Sequence, residues 1–308
     1  MNRKDLELPT FLCGTVLEVS RRFIKILAPS NHIITGIVSS KNLEVVVGDI
    51  ATFEERDGDI FVTSIASSER GLYRSVHGKL KKMGSNIDRL LVITASGPTF
   101  NPVVIDRMLA AARARSIPAS LVINKIDLGL AGLEEMVSVY RRIGLPVLLC
   151  SAKKGEGIAE LRAILEAPEV AIVSLCGVSG VGKSTLLNSL VPGAKSRTGD
   201  LSTKTGQGKQ TTTQPRGHLY TGAPGLTKVI VDLPGVQFFG LSHLSHEEAR
   251  LAFQEMIEVA GGCRFGDCKH VKEPECAVKA AVVRGDIATW RYESYLQILE
   301  EIAEFKQF

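Results

Sequence analysis

One stretch of the sequence has the residue types and spacing of a phosphate-binding loop. Residues 177–184 read GVSGVGKS and fit the pattern G-x-x-x-x-G-K-[ST]. Glycines allow successive backbone N–H groups to point at phosphate oxygens, and a helix that begins there adds partial positive charge. Lys183 then suits the β- and γ-phosphates, and Ser184 suits a Mg²⁺ ion. The residues that we expect to form the loop are Gly177, Val178, Ser179, Gly180, Val181, Gly182, Lys183, Ser184 and Thr185.

Two later segments could complete such a site. Residues 232–235 read DLPG after the apolar run VIV. Asp232 could help to hold the Mg²⁺ shell, and the N–H of Gly235 could sense a γ-phosphate. The polar segment GKQTTTQPRG precedes them, and Thr212 is our choice for a second magnesium ligand, with Thr211 and Thr213 as alternatives.

A base-reading loop is predicted at residues 121–127, which read LVINKID. Asp127 could accept hydrogen bonds from N1–H and N2–H of guanine, which adenine lacks. Asn124 suits the O6/N7 edge or holds the loop, and the stem of Lys125 can lie against the ring, beside Ile126. A second loop, Ser151-Ala152-Lys153, follows the next apolar strand along the chain.

The order of these motifs is unusual, because NKID lies before the phosphate loop and no second NKxD follows Asp232. Ligands of open α/β sheets bind at the carboxyl ends of the strands, whatever their order along the chain. A doubly wound sheet can be opened at another loop if its old termini are joined. The sequence therefore predicts a circularly permuted GTP-binding domain.

A cysteine cluster lies near the C-terminal end of the sequence. Cys263, Cys268, His270 and Cys276 offer three thiolates and one imidazole, which suit a tetrahedral Zn²⁺ ion. Four protein ligands leave no open position, so the predicted role is structural. Three further cysteines stand alone in apolar stretches, and we expect them to be buried: Cys13, Cys150 and Cys176.

The elements that must position these residues fall into three parts. Five strand-like stretches between residues 11 and 65 predict a small β-barrel, either an OB-fold or an SH3-like barrel. Alternating strands and helices from about residue 87 predict a doubly wound α/β domain. We place the domains at 1–72 (barrel), 73–242 (permuted P-loop GTPase domain) and 243–308 (helical, zinc-binding).

Helical spacing dominates the last part. One helix is predicted across EEARLAFQEMIEVA, with Phe253, Met256, Ile257 and Ala260 on one face. A second is predicted across RYESYLQILEEIAEF, with Tyr292, Tyr295, Leu296 and Leu299 on one face.

Composition bounds the class of protein. The chain has 308 residues, a hydrophobic content of 44% and a net charge of +4, which are ordinary for a soluble globular protein. We expect no signal peptide and no membrane span. The basic run RSVHGKLKKMGSN at residues 74–86 is consistent with either a solvated face or a nucleic-acid contact.

The motifs NKID, SAK, GVSGVGKST, TTT, DLPGVQFFGL and CRFGDCKHVKEPEC, in this order, resemble the bacterial ribosome small-subunit-dependent GTPase A family. The resemblance implies an N-terminal OB-fold, bound zinc, and an enzyme that hydrolyses GTP to GDP while it assists late maturation of the small subunit. We therefore expect a cytoplasmic monomer that contacts the small ribosomal subunit and its 16S rRNA.

Two positions depart from the family pattern. Gln210 stands where the family usually has His, and Leu233 where Thr or Ser is common. Val236 occupies the place of the water-positioning Gln of Ras-like proteins, so we expect slow intrinsic hydrolysis that the ribosome stimulates. The alternatives are a permuted GTPase of the large subunit, a P-loop ATPase and a non-enzymatic RNA-binding module.

Overall fold

The computed structural model describes residues 12–38, 43–76, 79–97, 99–191, 194, 214–222, 225–234 and 240–305. Along the chain, a barrel is followed by a hairpin, an α/β sheet and a helical module. Within these ranges no helix combines the length and apolar character needed to cross a membrane.

The barrel consists of five strands: β1 (Leu12–Val19), β2 (Phe23–Leu27), β3 (Ile33–Val38), β4 (Ile50–Arg56) and β5 (Asp59–Ile65). It closes in the order β1-β2-β3-β5-β4, and β3 runs parallel to β5. Val16, Ile26 and Phe53 fill its interior. Asp57 and Gly58 have positive φ and make the tight β4–β5 turn. This five-stranded barrel confirms the expected OB-fold.

The three lone cysteines do not share one environment. Cys150 and Cys176 are buried, and burial raises the pKa of each thiol to about 12, so both are unreactive. The prediction was wrong for Cys13, which is exposed on β1. Cys13 pairs with Thr52, which lies between the inward-facing Ala51 and Phe53, so its side chain points outward.

The basic run at 74–86 lies largely in a two-stranded hairpin, β6 (Leu72–Val76) and β7 (Lys79–Gly84). Lys79 and Lys81 are exposed. Lys82 instead pairs with the fully buried Asp49 of the barrel, with Nζ 3.0 Å from Oδ1. One cation of the run therefore attaches the hairpin to the barrel.

The central sheet has six strands in the order β10-β9-β8-β11-β13-β12. They are β8 (Arg89–Ala95), β9 (Ala119–Asn124), β10 (Val147–Leu149), β11 (Ile172–Cys176), β12 (Arg216–Thr221) and β13 (Thr227–Asp232). Only β12 is antiparallel to its neighbour. The helices are α1 (Pro102–Arg113), α2 (Glu134–Arg142), α3 (Ile158–Glu166) and α4 (Lys183–Leu190). Apolar side chains of the parallel strands are buried under these helices, as expected for a doubly wound sheet.

The C-terminal module has four helices: α5 (His246–Arg250), α6 (Gln254–Ala260), α7 (Ala277–Arg284) and α8 (Thr289–Phe305). The prediction of one helix across 247–260 was wrong. The chain breaks between α5 and α6, where the carbonyl of Ala252 accepts a hydrogen bond of 2.8 Å from Arg291 Nη2. Phe253 lies beneath the same guanidinium, 4.4 Å from its ring centroid to Cζ.

Arg291 also joins this module to the central sheet. Its Nη1 lies 2.5 Å from Oδ1 of Asp106 on α1, and both side chains are fully buried. Its Nε donates to Glu255 over 2.7 Å, while Tyr140 of α2 donates to Asp106 over 2.9 Å. A buried charge needs partners of this kind because desolvation is costly.

The barrel contacts the sheet through its edge strand β12. Nη2 of Arg216 donates to Glu18 Oε1 of β1 over 2.7 Å. Next to it, a Cβ on Gly217 would stand 3.1 Å from Cα of Leu17, so the absence of a side chain permits this close approach.

Candidate nucleotide and metal sites

The phosphate-loop residues join β11 to α4 in the predicted context. Gly182 caps α4 with φ 88°, and a Cβ there would stand 2.4 Å from Asn124 Nδ2. Gly177 passes so close to β8 that a Cβ would lie 2.3 Å from the carbonyl oxygen of Ile93. Both positions therefore need glycine. Leu186, Leu187 and Leu190 bury the opposite face of α4.

Lys183 and Asp232 face each other at the base of this loop. Lys183 Nζ lies 3.4 Å from Asp232 Oδ1, and the side chains are 9% and 2% exposed. The pairing of β11 with β13 places Asp232 level with Leu175, just before the phosphate loop. Ser184 follows on the first turn of α4 and is partly exposed.

Asn124 connects the three predicted loops. It ends β9, and its Nδ2 donates to the carbonyl of Val181 in the phosphate loop over 2.9 Å. Its Oδ1 accepts from the N–H of Ala152 in the second base loop over 3.0 Å. Lys125 Nζ also donates to the carbonyl of Gly180 over 2.6 Å. Residues separated along the sequence are thus brought together at one edge of the sheet.

Asp127 is exposed at the mouth of this cluster. It lies in a short 3₁₀ turn, Ile126–Leu128, whose Ile126 N–H donates to Cys150 O over 3.2 Å. Ser151 Oγ donates to Asp127 Oδ1 over 2.5 Å, which lowers the pKa of this carboxyl. The side chain is therefore an ionised acceptor at neutral pH. Lys153 is exposed on the turn that follows Ser151.

Several predicted residues lie outside the described part of the chain: Gln210, Thr211, Thr212, Thr213, Gly235 and Val236. Leu233, the second departure from the family pattern, is described and fully buried. Its N–H donates to the carbonyl of Leu175 over 3.1 Å, and a Cβ on Gly84 would lie 3.7 Å from its Cδ2. A leucine at this position therefore packs between the sheet and the hairpin.

The four predicted zinc ligands converge. Their ligand atoms all lie within 4.8 Å of one another. His270 Nδ1 is 3.6 Å from Cys263 Sγ and 3.4 Å from Cys276 Sγ, and these two sulfurs are 3.9 Å apart. Ligands about 2.3 Å from a tetrahedral zinc ion stand roughly 3.8 Å apart. The residues present therefore fit a zinc ion.

The loop that carries His270 is braced on both sides. Glu273 accepts hydrogen bonds from the backbone N–H groups of Lys269, Val271 and Lys272. On the other side, Tyr292 and Tyr295 of α8 donate to the carbonyls of His270 and Lys269, over 2.6 and 3.0 Å. These contacts fix His270 in its positive-φ conformation, φ 61°, toward the thiols.

Sequence reasoning missed Ser96 and Arg291. Ser96 immediately follows β8 and donates to the carbonyl of Lys125 over 2.6 Å. Its position at the carboxyl end of a parallel strand was a usable signal, since site residues gather at that edge. Arg291 is missed because an arginine in an amphipathic helix is ordinarily expected at the surface.

Comparisons with known proteins agree with this arrangement. The family model RsgA GTPase matches residues 65–242. A protein named small ribosomal subunit biogenesis GTPase RsgA from Pseudomonas putida is 40% identical over 232 residues, which cover 74% of this chain and 66% of the relative. One of the same name from Azotobacter vinelandii is 36% identical over 266 residues, which cover 84% of this chain and 76% of the relative. The chain thus matches just under two thirds of the first relative.

Two solved structures share the fold. The crystal structure of YjeQ from Thermotoga maritima is 28% identical, with a TM-score of 0.74, over 95% of this chain and 99% of that chain. YloQ, described as a circularly permuted GTPase, is 22% identical, with a TM-score of 0.69, over 98% of each chain.

The phosphate loop follows β11, and the NKID loop contacts it in space although it precedes it in the sequence. This arrangement defines a circularly permuted P-loop GTPase. This chain belongs to the RsgA GTPase family.

Proposed function

We propose that this chain binds the small ribosomal subunit and its 16S rRNA in its GTP form, assists late maturation of that subunit and hydrolyses GTP to GDP. The observation that carries the proposal is the pair of hydrogen bonds made by Asn124, to Val181 and from Ala152. These two bonds join the NKID loop to the phosphate loop and to the Ser151–Lys153 loop. The names of the two relatives support the choice of subunit.

In this proposal the base is read by the exposed carboxylate of Asp127. Guanine offers N1–H and N2–H to that carboxylate, and adenine would leave the charged acceptor unpaired, at a cost of about 1.5–3 kcal/mol for each lost bond. Asn124 holds the surrounding loops, and the stem of Lys125 lies along the purine ring. Ser151, Ala152 and Lys153 close the other side, and Ile126 lies within the turn.

The phosphates lie in this proposal against the backbone of residues 177–185, at the N-terminus of α4. Lys183 bridges the β- and γ-phosphates and so exchanges part of its contact with Asp232 for a contact with substrate. Ser184 and Thr212 are the proposed ligands of Mg²⁺, with Asp232 behind them. Bound there, the ion would neutralise phosphate charge. Gly235 would sense the γ-phosphate through its N–H.

Slow intrinsic turnover is part of the proposal. Val236 offers no hydrogen bond to an attacking water, and Gln210 stands at the family's His position, from which an amide could orient that water. We propose that contact with the subunit raises the rate of hydrolysis. The cluster of Cys263, Cys268, His270 and Cys276 would hold one structural Zn²⁺ ion. We place the protein in the cytoplasm, as a monomer.

The test is sedimentation of the full chain with purified ribosomal subunits in GDP or in a non-hydrolysable GTP analogue. Co-sedimentation with small subunits, strongest with the analogue, is expected, and Lys183→Ala should weaken the nucleotide effect. Equal binding in both nucleotides would contradict the proposed switch. Association with large subunits only would favour the rival assignment.

A competition assay with ATP separates the GTPase from a P-loop ATPase. Unchanged cellular function of Lys183→Ala and Ser184→Ala would favour an RNA-binding module that needs no nucleotide.

A further inference from the structure

Ser96 belongs to none of the sequence motifs, yet it makes two hydrogen bonds to the NKID loop. It follows the last residue of β8 and is 4% exposed. Its N–H donates to the carbonyl of Asn124 over 3.0 Å, and its Oγ donates to the carbonyl of Lys125 over 2.6 Å. One residue thus binds two consecutive carbonyls of the NKID segment.

The second of these carbonyls belongs to a residue in an unfavourable conformation. Lys125 has φ 61° and ψ 34°, in the left-handed region that non-glycine residues rarely adopt. Such a conformation persists only where surrounding contacts hold it. The Lys125 carbonyl accepts two of those contacts, from the Ser96 hydroxyl and, over 2.9 Å, from the N–H of Leu128.

The turn at Lys125 determines where the site residues point. Before it, the Asn124 side chain lies between Val181 and Ala152. After it, Asp127 lies within 2.5 Å of Ser151 Oγ. A change in the Lys125 peptide would therefore move Asp127 relative to the phosphate loop, and hydrogen-bond discrimination depends on such placement.

We infer that Ser96 is a specificity-determining positioning residue, whose hydroxyl holds the Lys125 turn so that Asp127 faces the guanine base. The inference rests on the proposed reading of guanine by Asp127. Ser96 itself touches the loop and not the phosphates, so its contribution is to binding of the base. Its loss should affect GTP and GDP alike and should leave the hydrolytic step at saturating GTP unchanged.

A matched control is present in the same sheet. Ser120 on β9 is fully buried, and its hydroxyl has no hydrogen-bond partner among the residues that the structure describes. Ser120→Ala removes a buried hydroxyl from the strand that leads into NKID, without removing a contact to the loop. Any general effect of the substitution on the sheet should appear in this variant as well.

The experiment measures the dissociation constants of GTP, GDP and inosine triphosphate for the full-length wild type, Ser96→Ala and Ser120→Ala. Inosine triphosphate lacks the 2-amino group and so reports one bond to Asp127. For Ser96→Ala we expect about threefold to tenfold weaker binding of GTP and GDP and a smaller preference for GTP over inosine triphosphate. Ser120→Ala should match the wild type, and kcat should be unchanged in both variants.

Loss of thermal stability in Ser96→Ala with an unchanged preference for GTP over inosine triphosphate would overturn the inference. A wild type that itself shows no such preference would instead overturn the proposed base reading. If Ser96→Ala does not fold, Ser96→Cys keeps a side chain of similar size with a weak donor and should show the same loss of preference.

Discussion

The backbone N–H of Leu241 donates a hydrogen bond of 2.6 Å to Oε1 of Glu301 on α8. The other carboxylate oxygen of Glu301 pairs with Arg107 of α1. Leu241 is fully buried and lies six residues after Gly235 in the sequence. One acidic side chain of the C-terminal module therefore anchors the chain just beyond the proposed γ-phosphate sensor.

Glu301→Ala should weaken GTP binding more than GDP binding. Removal of the anchor frees the end of the segment that carries Gly235, and only GTP has the γ-phosphate that the Gly235 N–H is proposed to bind. We expect a loss of about threefold to tenfold for GTP and less than about twofold for GDP, measured by fluorescence competition. Glu300→Ala removes the same charge from an exposed neighbour and serves as control. Equal losses for both nucleotides would contradict this role.

Asp127→Asn should reduce GTP affinity at least about tenfold, since charge-assisted hydrogen bonds contribute about 1.5–3 kcal/mol each. The same variant should bind xanthosine triphosphate better than the wild type does, because the amide can donate to the xanthine 2-oxo group. Isothermal titration of both nucleotides measures the exchange. If Asp127→Asn bound xanthosine triphosphate no better than the wild type does, Asp127 would not be the residue that reads the base.

The contribution of Asp127 to affinity should not change between pH 5 and 8. Its pKa is lowered from the ordinary 3.8 by the Ser151 hydroxyl, so the charged form is present above that value and is lost only as the pH falls below it. The ratio of wild-type to Asp127→Asn affinities for GTP, measured across this range, should stay constant. A ratio that falls toward one at pH 5 would show that the carboxyl titrates higher.

Removal of zinc should destabilise the C-terminal module. Cys276→Ser eliminates one of four converging ligands. The variant should bind less than one equivalent of zinc per chain, and its melting temperature should be lower than that of the wild type. Atomic emission and thermal unfolding measure the two quantities. Cys13→Ser, at an exposed thiol outside the cluster, should change neither. Full zinc occupancy in Cys276→Ser would exclude it as a ligand.

Arg291→Met should cost about 3–5 kcal/mol of stability, because it leaves the fully buried Asp106 without its cation. Urea unfolding followed by circular dichroism measures the change. The double variant Asp106→Asn with Arg291→Met removes both charges and should recover part of the loss. Additive losses in the double variant would show that the two side chains act independently.

Local signals were enough to predict the barrel, the parallel sheet and the loops at its carboxyl edge. Gly177 and Gly182 occur in a motif because the backbone approaches β8 and Asn124 too closely for a side chain. Leu186 and Leu190 follow helical spacing because one face of α4 is buried.

The features that were missed depend on contacts between distant residues. The break between α5 and α6 is stabilised by the Arg291 contact to Ala252, which no local pattern reveals. Strand β12 lies at the edge of the sheet and packs against β1 of the barrel at Gly217. Tyr220 is its one buried residue, so the strand shows no alternation of apolar and polar residues. Ser96 acts through its position beside Lys125, and its residue type alone is uninformative.

The edge strand β12 also connects the proposed nucleotide site to the barrel. Its first residue, Arg216, is bound to Glu18 of the barrel, and it stands only four positions after Thr212. The segment that carries the proposed γ-phosphate sensor, Gly235, leads to Leu241, which is bound by Glu301 of the C-terminal module. The segments that carry the proposed magnesium ligand and the proposed γ-phosphate sensor are thus attached to the barrel and to the C-terminal module, respectively. A partner that binds both the barrel and the C-terminal module would therefore respond to loss of the γ-phosphate through two separate attachments of the nucleotide site.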